Sequence, residues 1–380
     1  MARVNAGLHS NVPADDGDAD PLHVLDLPQL YSKPSAQSLL SALALLAVAP
    51  SSWDVKACEA GKTASIDEDG VPSYLTRIIS SPLAWIPEGA DKEDIWEAAS
   101  KRLAERSGRT AMPSVSRTFK IPLDGQDTSE TVDIKLHEPS LTGDNLGHKT
   151  WVASYLLAKR LPLLLPRLFP GIKTSSEMAN PHLNPWAQYP KDPHHPRPIT
   201  PSPPPTRPHI LELGAGTGLV GLAASALFAT HTHLTDLPSI LPNLQTNVAK
   251  NASLTTSSTV TAGPLDWSDR HSSVLGGPLY YDLILAADSL YAPEHPTWLV
   301  RVMGARLRRD EERRARVVLE LPFRSETPPE HEKLRVRMRE EGLVLVEEGH
   351  EVGFDDWEDL SSVGGQLEAW DSMRESESTP

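Results

Sequence analysis

The stretch HILELGAGTGLVGLAA, residues 209–224, decides the fold class. HILELG (209–214) is a short apolar run stopped by glycine, which reads as a buried strand. Thr217–Phe228 reads as a helix. Between them lies Glu212-Leu-Gly214-Ala-Gly216-Thr-Gly218, a loop whose glycines let the backbone turn sharply and come close to a ligand. Downstream the pattern repeats. HTHLTD (231–236) is a predicted strand and Pro238–Asn251 a helix, followed by strands at Ser258–Ala262 and at YDLILAAD (281–288). A helix at 294–309, a strand at 316–322, a helix at 330–341, a strand at 343–347 and a last short one at 366–371 complete the series. Strands alternating with helices predict a parallel, doubly wound α/β sheet, which binds ligands at the C-terminal ends of its strands.

The glycine loop fits two cofactor classes. Gly216-x-Gly218-x-x-Gly221 satisfies the dinucleotide pattern. Three features favour S-adenosylmethionine instead. The turn begins at Gly214, directly after the strand. Glu212 stands two residues earlier, where it would meet the cationic end of a methionine moiety, whereas a pyrophosphate gains nothing from an acid beside its loop. No second mononucleotide half is visible. Asp236, at the end of the second strand, suits a carboxylate accepting from ribose hydroxyls in either class.

Upstream, residues 35–49 and 91–107 read as helices, the second with Ile95, Trp96, Ala99 and Leu103 on one face. Val115–Leu123 and Thr131–His137 alternate and read as a hairpin. Residues 149–168 form an apolar helix candidate with a possible break at Pro162. Residues 170–208 hold 12 of the chain's 35 prolines and read as an inserted surface loop. A PxxP-type ligand is the alternative. Its adjacent His194 and His195 do not make a metal pair, and no metal site is expected. Residues 1–20 read as disordered.

Together these segments resemble the seven-β-strand methyltransferase family 16, mostly protein-lysine methyltransferases, and within it most nearly the fungal rapid-response-to-glucose type. The resemblance rests on GHKTWVASYLLAKRL (147–161), the glycine-loop segment, HTHLTDLPSILPNLQTNV (231–248), LDWSD (265–269) and YDLILAADSLYAPE (281–294), in that order. It spans about residues 116–372. It implies a Rossmann-like seven-stranded class I methyltransferase sheet over residues 116–380, with an N-terminal accessory region over 1–115. It also implies S-adenosylmethionine as cofactor. Trp151 would enclose the cofactor, Gly214, Ala215 and Gly216 would meet its methionine part, and Asp236 would bind its ribose. Trp267 would lie near its adenine, with Ala287 lining the site. Asp288 and Tyr291, the D-x-x-Y pair, would face the substrate lysine. The departure from the family is the insert 170–208, which separates the tryptophan helix from the first sheet strand and could cover the substrate channel. Methylation of another side chain or a small molecule, and a non-catalytic cofactor-binding module, remain alternatives.

Composition sets the boundaries of this reading. The 380 residues carry 36 basic and 51 acidic side chains, a net charge of −15, so a general polyanion binder is excluded and no direct nucleic-acid contact is expected. Cys58, the single cysteine, excludes a disulfide framework and a cysteine-built zinc site. The most apolar run, Leu39–Ala49, is too short for a bilayer span of about 20 residues. A monomer acting on a protein substrate, which the resemblance implies to be a translation factor or a chaperone, in the cytoplasm or nucleus is the expectation. Residues 346–380 hold eleven acids and one arginine, and residues 301–316 hold seven arginines. Both read as solvated surface, or alternatively as a docking surface for a basic, RNA-associated partner.

Overall fold

The computed structural model describes residues 23–47, 69–87, 89–107, 114–124, 130–140, 146–179, 207–272, 277–309, 315–323, 329–354 and 362–372. Cys58, the histidines at 194 and 195 and most of the proline-rich stretch lie outside them. The chain divides into two compact units, residues 1–48 with 59–106 and residues 49–58 with 107–380.

The first unit packs three helices, α1 (Ala36–Leu45), α2 (Val71–Ser80) and α3 (Ala90–Ala104). Ser35 starts α1 by accepting from Ser38 N at 3.2 Å, the usual N-cap device. In α3, Asp91 and Glu93 open the helix and Lys101 and Arg102 close it, charges that complement the helix dipole. Leu39, Leu43, Leu75, Ile78, Ile95 and Ala99 form the core. Its aromatic polar atoms find carbonyls: Trp85 Nε1 donates to Pro34 O at 2.8 Å and Trp96 Nε1 to Ser81 O at 3.0 Å.

The second unit begins with an antiparallel hairpin, β1 (Val115–Pro122) and β2 (Thr131–Glu138). Next come α4 (Val152–Leu168) and the short α5 (Ser175–Ala179). The alternation follows as β3 (His209–Leu213), α6 (Leu219–Leu227), β4 (His231–Asp236), α7 (Leu241–Lys250), β5 (Thr259–Pro264), β6 (Leu283–Ala287), α8 (His295–Arg306), β7 (Arg316–Phe323), α9 (Pro329–Glu340), β8 (Leu343–Phe354) and β9 (Ser362–Ser372). The seven-stranded sheet has the order β5-β4-β3-β6-β7-β9-β8. Only β9 runs antiparallel to its neighbours. β6 is buried along its whole length, as a parallel strand covered on both faces must be. One apolar core joins α4 and α6 to one face, and a second joins α8, α9 and Trp370 to the other. Among the described residues no helix is long and apolar enough to cross a membrane.

The strand order reverses between β3 and β6. This is the switch point of a doubly wound sheet, and it opens a crevice at the strands' C-terminal ends. The hairpin is fastened close to that crevice. Asn243 and Asn247 on α7 and Asn251 at its C-cap sit four residues apart and take the place of a partner strand along the edge of β2 that β1 leaves open. Asn251 exchanges bonds with Lys135 N (3.0 Å) and O (2.9 Å), and Asn247 with His137 N (2.7 Å) and O (3.1 Å). Asn243 Nδ2 also donates to His137 O at 2.9 Å. At the end of β2, buried Glu138 accepts from Thr150 N at 3.1 Å and pairs with Arg117 at 3.4 Å. This places the residue preceding Trp151.

Two expectations change. α4 continues through Pro162 and Pro166 without a break. Each proline removes one helical hydrogen bond, but burial of Leu156, Leu157, Leu161, Leu164 and Leu165 holds the turns in place. The acidic C-terminal region is also not a free tail. β8 and β9 are longer than predicted, and β9 lies inside the sheet. Glu351 pairs with Arg160 at 2.8 Å and Glu368 with Arg335 at 2.6 Å. Glu347 pairs with Arg167, Glu348 with Arg335, and Asp371 with Arg316. The arginine run is engaged as well: Arg308 pairs with Asp282 at 2.8 Å and Arg309 with Glu341 at 2.8 Å. Opposite charges in the sequence cancel across the sheet's edge, so the docking reading has no support from these acids. Asp355, Asp356, Glu358, Asp359, Glu375 and Glu377 lie outside the described residues.

Candidate active site

A cavity of about 580 Å³ occupies the switch-point crevice. Every wall is an end of an element. The loop after β3 supplies Gly214, Ala215, Gly216 and Thr217, and the end of β4 supplies Asp236. The segment after β5 supplies Leu265–Ser268, and the segment after β6 supplies Ala287–Tyr291. Trp151 precedes α4, and His295 and Trp298 lie in the first turns of α8. Of the ten residues singled out in the sequence, the cavity gathers nine: Trp151, Gly214, Ala215, Gly216, Asp236, Trp267, Ala287, Asp288 and Tyr291.

Glu212 is the exception. It was expected to meet a ligand's cationic end, but it is only 3% exposed and turned beneath the loop. Its Oε2 accepts from Gly221 N at 2.9 Å, tying β3 to the first turn of α6. A Cβ on Gly221 would stand 2.6 Å from that oxygen and 2.1 Å from Leu234, so the close approach requires glycine. Burial pushes the Glu212 carboxyl up to about 8. The Gly221 bond opposes the rise and the Asp236 charge adds to it. An acid raised in this way gives stability that is complete below its ordinary value near 4.5 and is lost as pH climbs to about 8. Glu320, fully buried and also pushed up to about 8, behaves alike. Melting temperature should therefore fall between pH 5 and pH 8, and Glu212→Gln should keep the Gly221 bond while removing about half of that slope. Thermal melts at stepped pH check this; an unchanged slope in the variant assigns the effect elsewhere.

Asp236 holds the loop open from the other side. Its Oδ2 accepts from Gly216 N at 2.7 Å and its Oδ1 from Leu237 N at 2.7 Å. Burial raises its carboxyl above the usual range despite both bonds. Gly214 has φ +66, and a Cβ there would lie 2.9 Å from the Trp267 ring, so this ring rests on bare backbone. Trp267 Nε1 is buried without a hydrogen-bond partner among the described residues. Its carbonyl accepts from Arg301. Asp266, whose Oδ1 accepts from the Ser268 hydroxyl at 2.7 Å, is held below the usual carboxylate range chiefly by that bond.

Asp288 leaves β6 with φ +51, a left-handed conformation that aspartate tolerates better than most side chains. Its N–H donates to Glu320 O at 3.0 Å, and the next hydroxyl, Ser289 Oγ, is buried without a partner among the described residues. Tyr291 is 68% exposed at the mouth, so its burial is only partial; that partial desolvation, then the Asp236 and Asp288 carboxylates, pushes its hydroxyl above its ordinary range. The tyrosine tip therefore sits within the field of both acids. Three carboxylates, Asp236, Asp266 and Asp288, line the cavity against one lysine, Lys149. Such a site favours a ligand carrying positive charge.

Lys149, His295 and Trp298 were missed in the sequence. His295 and Trp298 stand three residues apart in the first turns of α8, a helical spacing that turns both toward the same cavity. Lys149 carried no signal beyond its place two residues before Trp151.

The family model described as lysine methyltransferase matches residues 183–327. Protein-lysine N-methyltransferase EFM2 of Saccharomyces cerevisiae is 34% identical over 275 residues, which cover 70% of this chain and 57% of that protein. Protein-lysine N-methyltransferase rrg1 of Schizosaccharomyces pombe is 27% identical over 356 residues, covering 91% of this chain and 97% of that protein. EEF1A lysine methyltransferase 3 of Xenopus tropicalis is 37% identical over 94 residues, covering 25% of this chain and 39% of that protein. The chain thus spans little more than half the length of the first of these relatives.

Proposed function

This chain belongs to the lysine methyltransferase family, and from that premise we propose that it methylates a lysine side chain of a protein, with S-adenosylmethionine as methyl donor. The observation that carries the proposal is the switch-point cavity, where Asp236, Trp267 and the Gly214 loop meet Asp288 and Tyr291. The residues fit the donor. Its adenine suits the slot beside Trp267, whose buried Nε1 lacks a partner among the described residues, and its ribose hydroxyls suit the two oxygens of Asp236. Its cationic centre suits an acidic lining. Trp151 and the Gly214–Gly216 loop would enclose the methionine part.

The bound donor supplies a methyl group on a sulfonium, ready for in-line displacement. The protein does the remaining work. A free lysine is protonated up to about pH 10.4 and cannot attack until it loses a proton. The Asp288 carboxylate attracts and holds the ammonium. The Tyr291 ring at the mouth adds cation–π contact with the incoming side chain and narrows the approach. Water at the open mouth takes the proton, so no side chain is assigned as general base. Asp288 would set the line along which the lysine nitrogen meets the methyl carbon, the C–N bond forming as the carbon–sulfur bond breaks and S-adenosylhomocysteine leaves.

A translation factor is the substrate class to try first, given the name of the Xenopus relative, and a cytoplasmic or nuclear setting goes with it. Labelling a lysate with methyl-tritiated donor, then identifying the labelled band and residue by mass spectrometry, tests the reaction. Label on a lysine supports it, and label on any other group sinks it. Cofactor binding without transfer to any protein would instead point to a non-catalytic module. Calorimetric titration with S-adenosylhomocysteine tests the cofactor site. Asp236→Ala should weaken binding about 10- to 100-fold, the loss of hydrogen bonds to a charged acceptor, roughly 1.5–3 kcal/mol.

A further inference from the structure

His295 opens α8 and is 6% exposed in the wall of the cavity. Its Nδ1 lies 3.0 Å from the carbonyl oxygen of Ser289. A carbonyl only accepts, so Nδ1 carries the proton in this contact. Ser289 is the residue after Asp288, whose backbone is left-handed. The strained acid is therefore pinned on both sides: its own N–H is held by Glu320 O at 3.0 Å, and the next carbonyl is held by the imidazole. The same ring touches aromatic groups on both sides of the site. Its centroid is 4.2 Å from Tyr291 at 84° and 5.6 Å from Trp267 at 85°, both edge-on. It lies 5.6 Å from Trp298, tilted by 40°. Edge-to-face contacts of this kind fix ring orientation as well as position.

We propose that His295 is a positioning residue. Through one hydrogen bond it fixes the Asp288–Ser289 backbone and so the turn that carries Tyr291, while its ring packs against Tyr291 and Trp267. It touches neither the methyl group nor the lysine nitrogen. The proposal rests on the methyltransferase reading and deepens it, because it names what aligns the acid and the tyrosine that the substrate lysine would meet. Misalignment by about 1 Å at a reacting centre costs on the order of 100-fold in rate. The imidazole's removal should therefore appear in the rate of transfer, with the affinities nearly intact.

Three substitutions separate this role from simple packing. His295→Asn places an amide N–H close to the position of Nδ1 and keeps the bond to Ser289. His295→Gln carries its amide out to the position of Nε2 and loses that bond. His295→Phe keeps the ring edges and loses the donor. Single-turnover transfer to the acceptor protein identified by lysate labelling is measured beside the KM for that protein and the Kd for S-adenosylhomocysteine. The Gln and Phe variants should be slowed about 10- to 100-fold and the Asn variant about threefold or less, while KM and Kd move by less than about threefold in all. Equal rates in the Asn, Gln and Phe variants overturn the proposal. The nitrogen spectrum of selectively labelled histidine gives a readout apart from turnover: His295 should appear as the Nδ1–H tautomer before any ligand is added, and an Nε2–H tautomer overturns the proposal. Should the Gln and Phe variants fail to fold, the Asn rate and this spectrum decide. A wild type that labels no protein defeats the functional reading and this role with it; a wild type that labels normally beside an equally fast Phe variant defeats this role alone.

Discussion

Asp288→Asn should lower the single-turnover rate of methyl transfer by about 100-fold or more and leave the affinity for S-adenosylhomocysteine within about threefold. Asparagine is nearly the same shape and, like aspartate, is enriched in left-handed backbone, so φ +51 remains accessible. The N–H that donates to Glu320 O is untouched. What disappears is one negative charge at the end of β6. Two unit charges 4 Å apart interact by about 4 kcal/mol at an effective dielectric near 20. A 100-fold loss needs only about 2.7 kcal/mol, since each tenfold step is about 1.4 kcal/mol. Asp236 and Asp266 line the same cavity, but neither lies on the Asp288–Tyr291 turn, so neither replaces the missing charge at the mouth. Asp288→Ala is a less informative variant, because alanine fits left-handed backbone poorly and the turn itself would shift. An Asn variant that transfers methyl at the wild-type rate would show that Asp288 only shapes the turn after β6.

The parts of the molecule legible in the sequence are those set by local rules. A buried parallel strand is a short apolar run, and a ligand loop after it must be small and sharp. The glycines at 214 and 216 and the acids at 236 and 288 therefore stand at visible boundaries between apolar runs and loops. The cavity gathers them because a doubly wound sheet brings the C-terminal ends of its strands together. What was not legible depends on the direction of a side chain or on partners far away in sequence. Glu212 lies one register position from the loop, yet the pleat turns it under α6 instead of into the cavity. The asparagines of α7 read as ordinary helix residues until β2 lies beside them. His295 and Trp298 looked like the start of a helix, and only the closeness of β5 and β6 to that helix makes them walls of the site. The acids of β8 and β9 gave the clearest misreading. Along the chain they form a negative block, but across the sheet they alternate with arginines from α4, α9 and β7.

That misreading yields the second large effect. Arg335→Ala should destabilise the fold by about 3–5 kcal/mol, the usual cost of removing one partner of a buried ion pair. Arg335 Nε donates to Glu368 Oε1 at 2.6 Å, and its Nη2 reaches Glu348. Glu368 is 0% exposed, on the strand that separates β7 from β8, and its second oxygen accepts from Trp370 Nε1 at 3.0 Å. Without the guanidinium, the Glu368 carboxylate stays in the sheet interior with, among the described residues, only the indole N–H and, at 3.4 Å, the Gln366 amide to stabilise it. The paired charges themselves need not be stabilising, because the cost of desolvating both offsets much of their attraction. The double variant Arg335→Leu with Glu368→Gln should therefore lose much less than Arg335→Ala, since glutamine still accepts from Trp370 and no charge is stranded. For a unit of this size each kcal/mol shifts the melting temperature by about 2–4 °C, so the single variant should melt about 6–20 °C lower. Thermal and denaturant melts of the wild type, Arg335→Leu, Glu368→Gln and the double variant close the cycle, with Arg335→Ala melted beside them. A loss below about 1 kcal/mol for Arg335→Ala would place this pair with exposed ion pairs. That outcome would return the acidic C-terminal region to the role of a solvated surface rather than a counter-charge built into the sheet.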